Sequence, residues 1–293
     1  MCRKFFIPGS EWLYFQIYSG YKTLEEILIS TGYEFIKEVS EKKIVDKYFF
    51  IRYNDPEPHI RLRFHLTEIN NIGLVLSLFH SYFDKYVNSN EICNISINTY
   101  NRELERYGEN IISETETIFY IDSKYLLSIL MEMHQRLLGI EDVRWNIALY
   151  ITNDLLSAFQ YNEGEKYEIM DLLASRYKYE FKLDQHPDVL NSLFRKHRNL
   201  IRKILIEKQF GVNDRILKQL EKRKQEISSV AKCILCEEKL LMSRKTDYVA
   251  SLIHMSLNRL FRDWPRVHEL VIYDMLRKYY KSESYLKVRN NQN

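Results

Sequence analysis

The sequence predicts an α+β fold, with an N-terminal antiparallel or mixed sheet and its helices followed by a mainly helical C-terminal half. Three observations predict it. Backbone breakers are scarce in the 293 residues, with 8 Gly and 5 Pro beside 22 Tyr and 15 Phe, which favours long regular elements over a loop-rich all-β fold. His59 to Leu66 (HIRLRFHL) alternates strictly between polar and apolar residues, the mark of a strand with two unlike faces. Beyond residue 110 the apolar residues recur at helical spacing instead.

Taken in order, Thr23 followed by Glu26 fits a capping box, and Leu24, Ile27, Leu28, Phe35, Ile36 and Val39 carry a helix to about Lys42. Residues 47–53 (KYFFIRY) are aromatic and β-prone. Asn54-Asp55-Pro56-Glu57-Pro58 reads as a turn, and 59–66 as the return strand. Residues 72–87 read as a helix and 92–100 (ICNISINTY) as an alternating strand. Asp122-Ser123 reads as the cap of a helix running to about Leu138. Further helices are expected near 142–161, 165–179, 187–208, 212–242, 246–262 and 265–281, with Pro187 and Pro265 as first-turn prolines. The tail after Ser284 is expected to fray. No linker composition interrupts the chain. One unit over 1–293 is therefore expected, mixed α/β over about 1–120 and helical over about 121–285.

Net charge is +3, too small to argue for nucleic acid, and direct DNA binding is not expected. The first residues lack the apolar run of a signal peptide. No stretch reaches the ~18 apolar residues of a membrane span. The cytoplasm is the expected compartment, with Cys2, Cys93, Cys233 and Cys236 reduced. Cys233-Ile-Leu-Cys236 is a lone CxxC in a helical stretch, and no histidine spacing suggests a metal site. The basic runs 195–204 and 217–224 read as solvated helix faces.

The most informative segment is FFIRYNDPEPHIRLRF (Phe49 to Phe64). One strand face carries His59, Arg61, Arg63 and His65, which is costly to bury without an anion. Guanidinium forks on alternate residues can hold one carboxylate ligand from the same side. NTYNRELERYG (Asn98 to Gly108) adds Arg102 and Arg106 four residues apart. A plain charged turn explains that second segment equally well. In SLIHMSLNRLF, Ser251, His254 and Asn258 form a polar stripe beside the core positions Ile253, Leu257 and Leu260. Such a histidine is either structural or turned to a cleft, where an imidazole would suit proton transfer.

These blocks, with TETIFYIDSK and the Trp12 region EWLYFQIYSGYKTLEEIL, resemble in order and spacing the elimination domain of nisin-type (class I) lanthipeptide dehydratases and their stand-alone thiopeptide relatives. The resemblance spans most of the chain and is thinnest over about 140–240. It implies elimination of glutamate from glutamylated Ser or Thr of a precursor peptide, leaving dehydroalanine or dehydrobutyrine. It implies no cofactor and no metal. As partners it implies the precursor's leader and core, and a glutamyl-tRNA-dependent glutamylating dehydratase subunit; whether two chains pair stays open. By motif, Arg61, Arg63 and Arg102 match arginines of glutamate binding and elimination, and His254 the catalytic histidine. Arg106 joins the glutamate-binding set, with Tyr100, Ser251 and Asn258 as supporting residues. The family pattern has a second glycine after RYG where Glu109 stands here, so a different local loop is expected. Two other uses of the fold stay open: a thiopeptide pyridine synthase joining two dehydroalanines with leader release, and a non-catalytic scaffold that binds the precursor.

Overall fold

The computed structural model describes residues 2–135, 140–182, 187–209, 211–236 and 242–290. Two compact units account for the chain, one drawn mainly from residues 1–136 and the other from 137–235 and 241–293.

The first unit is built on a four-stranded antiparallel sheet. Its strands are β2 (Trp12–Tyr18), β3 (Val45–Tyr53), β4 (His59–Leu66) and β5 (Asn94–Ile97), in the order β3-β4-β2-β5. β4 occupies the predicted span, and β3 begins two residues earlier than expected. β2 was not legible as a strand. In WLYFQIY both faces are almost wholly apolar, so alternation is invisible. The expected strand over 92–100 divides: β5 ends at Ile97, and β6 (Tyr100–Asn101) leaves the sheet to pair with β1 (Phe5–Phe6).

One face of the sheet packs on α1 (Tyr21–Ile27), α2 (Tyr33–Glu41) and α3 (Ile72–Asn88). The helix read to Lys42 is interrupted by a π-turn at Leu28–Gly32. It starts at Tyr21 on Gly20, with no side-chain cap. Thr23 thus lies inside the first turn, and the expected capping box does not form. Aromatic rings fill this layer. Phe15 stacks on Phe79 at 4.1 Å and Phe79 on Phe83 at 4.2 Å, while Phe35 meets Phe64, Phe79 and Phe83 edge-on at 5.5–5.8 Å. Arg52, whose side chain lies on this face, is neutralised by Glu25 at 2.8 Å.

After α4 (Leu104–Tyr107), α5 (Ile112–Gln135) packs on β3. It starts ten residues before the expected cap at Asp122-Ser123. Both of those residues are buried, and Ser123 Oγ accepts from the Phe50 amide at 3.2 Å. A polar pair that looked like a helix start is thus a mid-helix docking point. Of Gly108 and Glu109, only Gly108 takes a positive φ (89°), so Glu109 stands without strain where the family pattern has glycine.

The second unit is helical. It contains α6 (Ile140–Ala158), α7 (Glu163–Glu180), α8 (Pro187–Arg202), α9 (Asp214–Cys236), α10 (Met242–Leu260) and α11 (Pro265–Asn290). The two prolines begin their helices as expected. α11 extends to Asn290, past the expected end near 281, and residues 291–293 of the tail expected to fray lie outside the described residues. Asn162 and Glu165 form a reciprocal capping box at the start of α7, worth about 1 kcal/mol. In the basic run of α9, Arg223 is buried and donates to Ser256 Oγ at 3.2 Å, so that run is not wholly solvated. Among the described residues no helix is long and apolar enough to cross a membrane.

Phe35 is fully buried where four rings meet it, those of Phe64, Phe79, Tyr82 and Phe83. Phe35→Ala is expected to cost about 3–5 kcal/mol by transfer and cavity terms together, read as a lowered midpoint in urea unfolding.

Candidate functional site

The second face of the sheet, away from the helical layer, carries the charged residues. Antiparallel register places Tyr14 and Phe49 opposite Arg63, Gln16 and Ile51 opposite Arg61, and Tyr18 and Tyr53 opposite His59. Alternate residues on β4 stand about 7 Å apart along the strand, so Arg61 and Arg63 share this face.

Arg63 is only 7% exposed. Its guanidinium carbon lies 4.3 Å from the Tyr14 ring centre, 5.0 Å from Tyr100 and 5.2 Å from Phe49. Its Nε and Nη1 are buried without a hydrogen-bond partner. Burial pulls its pKa below the ordinary arginine value, against the opposing pull of Tyr14 and Tyr100. Each aromatic contact returns roughly 0.5–2 kcal/mol, whereas desolvating a cation costs several kcal/mol. The box therefore offsets the cost only in part, and a carboxylate would complete it.

Arg61 is held differently. Its guanidinium lies 3.5 Å over the Tyr53 ring, and its Nε donates to His59 Nε2 at 3.0 Å. An Nε2 that accepts belongs to a neutral imidazole, and Nδ1–H then donates to the Glu57 carbonyl at 2.7 Å. Beside them lies a polar network that the sequence did not announce. Gln16 Oε1 accepts from Tyr18 Oη (3.0 Å), Ser96 Oγ (3.2 Å) and Asn98 Nδ2 (2.8 Å), and Gln16 Nε2 donates to Tyr14 Oη (2.6 Å). The only available signal was Gln16 itself, the one amide in an otherwise apolar and aromatic strand.

Arg102 does not present its fork to solvent. Nε and Nη2 both donate to Glu116 at 2.6 Å, and Nη1 reaches the Arg3 carbonyl at 3.2 Å. Tyr100 Oη donates to the same carboxylate at 2.9 Å. The Tyr100 ring thus touches Arg63 while its hydroxyl ties that wall to the Arg102–Glu116 pair. Arg106 lies against exposed Glu103 at 3.3 Å.

In the second unit, His254 on α10 is half-buried, and its Nδ1 lies 2.8 Å from Glu269 Oε1. A carboxylate only accepts, so Nδ1 carries the proton in this contact, and in a neutral imidazole the lone pair would lie on Nε2. Glu269, on α11, is fully buried. Its other oxygen accepts from Tyr177 Oη and from Tyr273 Oη at 3.0 Å. Desolvation first, and Glu269 next, push the pKa of both phenols up, so they remain donors. Of the expected supporting residues, Ser251 donates to the carbonyl of Asp247 in its own helix, and Asn258 is buried. Glu269, Tyr177 and Tyr273 left no trace in the sequence, since only the pairing of α7, α10 and α11 brings them to the histidine. Among the described residues, no three His, Cys, Asp or Glu side chains are placed to hold a metal ion.

A family model described as the C-terminal part of lantibiotic biosynthesis dehydratases matches residues 12–280. The chain belongs to that family. The subtilin biosynthesis protein SpaB of Bacillus subtilis is 28% identical over 265 residues, covering 87% of this chain and 24% of SpaB. The nisin biosynthesis protein NisB of Lactococcus lactis subsp. lactis is 26% identical over 287 residues, covering 96% and 26%. The chain thus spans about a quarter of the length of these curated relatives. The fold matches the tRNA-dependent lantibiotic dehydratase MibB of Microbispora sp. 107891 with a TM-score of 0.73 at 18% identity, covering 96% of this chain and 29% of MibB. It also matches TbtD, the pyridine synthase from thiomuracin biosynthesis, with a TM-score of 0.62 at 11% identity, covering 94% and 99%.

The neutral His59 carries a pH prediction for this family member. Burial, and secondarily Arg61, lower its pKa in the folded state. Near pH 6.5 the unfolded chain takes up a proton that folded His59 refuses. This stability contribution is therefore complete above about pH 6.5 and declines as pH falls from there toward the folded pKa. Urea unfolding at pH 7.5 and 5.5 should show a smaller acid-side loss for His59→Gln than for the parent chain.

Proposed function

We propose that the chain eliminates glutamate from glutamylated Ser or Thr residues of a precursor peptide. The observation that carries this reading is Arg63, a desolvated guanidinium with Nε and Nη1 unpartnered on the same sheet face as Arg61. A glutamyl group offers the carboxylate that such a fork lacks. The second requirement, a base, is assigned to His254 through its match to the family's catalytic histidine, and the Nδ1–Glu269 contact orients its ring.

In the proposed reaction the Cα–H bond of the modified residue breaks and its proton passes to His254 Nε2. The released electron pair forms the Cα=Cβ bond. The Cβ–O bond breaks as that pair moves in, its electrons leaving with glutamate as a free carboxylate. Arg61 and Arg63 hold the glutamyl group. Arg102 acts through Glu116 and Tyr100, keeping the wall of the Arg63 box in place. No cofactor or metal enters these steps. The glutamyl ester must come from a glutamyl-tRNA-dependent partner, which places the reaction in the cytoplasm.

A second reading, cyclisation of two dehydroalanines as a pyridine synthase, is favoured by the coverage of almost all of TbtD. It leaves the unpartnered Arg63 fork without a carboxylate to hold, and so ranks below elimination.

Incubation with glutamylated peptide and mass spectrometry separates the two. Elimination gives free glutamate and a dehydrated residue. Cyclisation instead consumes an already dehydrated peptide and releases its leader. Under the first reading, Arg63→Ala and His254→Ala each lower turnover by at least 100-fold, and the glutamyl adduct accumulates. Normal turnover by both variants would overturn the assignment.

A further inference from the structure

Tyr14 stands beside Arg63 with a hydroxyl whose polarity is set by its neighbour. Gln16 accounts for this. Asn98 Nδ2 can only donate, and it reaches Ser96 Oγ at 2.9 Å and Gln16 Oε1 at 2.8 Å. The Gln16 carbonyl therefore faces Asn98, and its Nε2 faces Tyr14 Oη at 2.6 Å. Tyr14 Oη accepts that bond, which leaves the phenolic proton to be donated elsewhere. Tyr14 is 5% exposed, and its ring packs 4.3 Å from the Arg63 guanidinium carbon.

We infer that Tyr14 is a further catalytic residue: its hydroxyl donates to the departing carboxylate of glutamate, and Gln16 is the positioning residue that keeps it a donor. This rests on the elimination reading. As the Cβ–O bond breaks, negative charge gathers on the ester oxygen. A donor already turned toward it costs no reorganisation at that moment. Arg63 supplies charge, and Tyr14 supplies a directed hydrogen bond on the same side.

Gln16→Glu tests the polarity directly. A carboxylate at position 16 still satisfies the three donors from Tyr18, Ser96 and Asn98. Its remaining oxygen cannot donate, so Tyr14 must turn its proton inward. The added negative charge also repels an anionic ligand, and a double-mutant cycle separates that effect from the loss of polarity.

Glutamate release from glutamylated peptide is measured for the parent, Tyr14→Phe, Gln16→Glu and the double variant, with thermal melts confirming folding. Tyr14→Phe should lower kcat roughly 100- to 1000-fold with little change in KM. Gln16→Glu should lower kcat to a similar degree and also raise KM. In the double variant kcat should be no lower than in Tyr14→Phe alone, because the donor is already gone. A parental kcat in Tyr14→Phe, or kcat losses that multiply in the double variant, would sink the inference while leaving elimination standing. If Tyr14→Phe melts early, a parental kcat in Gln16→Glu sinks it equally. Absence of glutamate release by the parent chain removes the elimination reading and this inference together.

Discussion

Burial of the Arg63 guanidinium is the constraint around which the sheet face is arranged. A cation at that depth has to be surrounded by groups that tolerate it. Tyr14, Phe49 and Tyr100 do so with the faces of their rings, which carry partial negative charge. Each comes from a different strand: β2, β3 and β6. The box therefore exists only once the sheet has paired and β6 has crossed to β1. An aliphatic residue at any of the three positions would remove one ring face and leave the charge to the other two. The aromatic richness of the chain thus has a local electrostatic purpose as well as a packing one.

The second unit solves the reverse problem. Glu269 is an anion with no exposure, and it is satisfied by the Nδ1–H of His254 and the hydroxyls of Tyr177 and Tyr273. Three donors on two oxygens leave the carboxylate well solvated by protein, which is the condition for keeping a buried charge. The consequence falls on the histidine. Its Nδ1–H is committed to Glu269, which fixes the ring orientation. In each unit a buried ionisable side chain thus stands beside a second group, a phenol beside Arg63 and an imidazole beside Glu269.

What could be read from the sequence follows from how local each signal is. HIRLRFHL showed β4 and its cationic face because polar and apolar residues alternate there. WLYFQIY hid β2, because Tyr14 and Tyr18 on the polar face are as apolar by composition as Phe15 on the other. Pro187 and Pro265 marked helix starts through a property of one residue. Thr23 and Asp122-Ser123 misled, because a capping residue and a mid-helix polar residue differ only in their tertiary partners. For Ser123 that partner is the Phe50 amide on a strand far away in sequence. Arg63 was found from its neighbours on β4. Glu116 and Glu269 were not found, since nothing near either one in the sequence points to Arg102 or His254.

The geometry also separates arginines that the sequence treated alike. Arg102 and Arg63 have the same fork, but Arg102 spends both edges, one on Glu116 and the other on the Arg3 carbonyl. A ligand carboxylate could enter there only by expelling Glu116, which is itself buried. Freeing one member of such a pair costs roughly 3–5 kcal/mol, more than a new bidentate contact of the same kind would return. Arg106 faces no such barrier from Glu103, because an exposed pair at 3.3 Å is worth roughly 0–1 kcal/mol. Arg102 is thus held by Glu116, and through that carboxylate it is tied to Tyr100. Arg63, by contrast, is buried with Nε and Nη1 unpartnered.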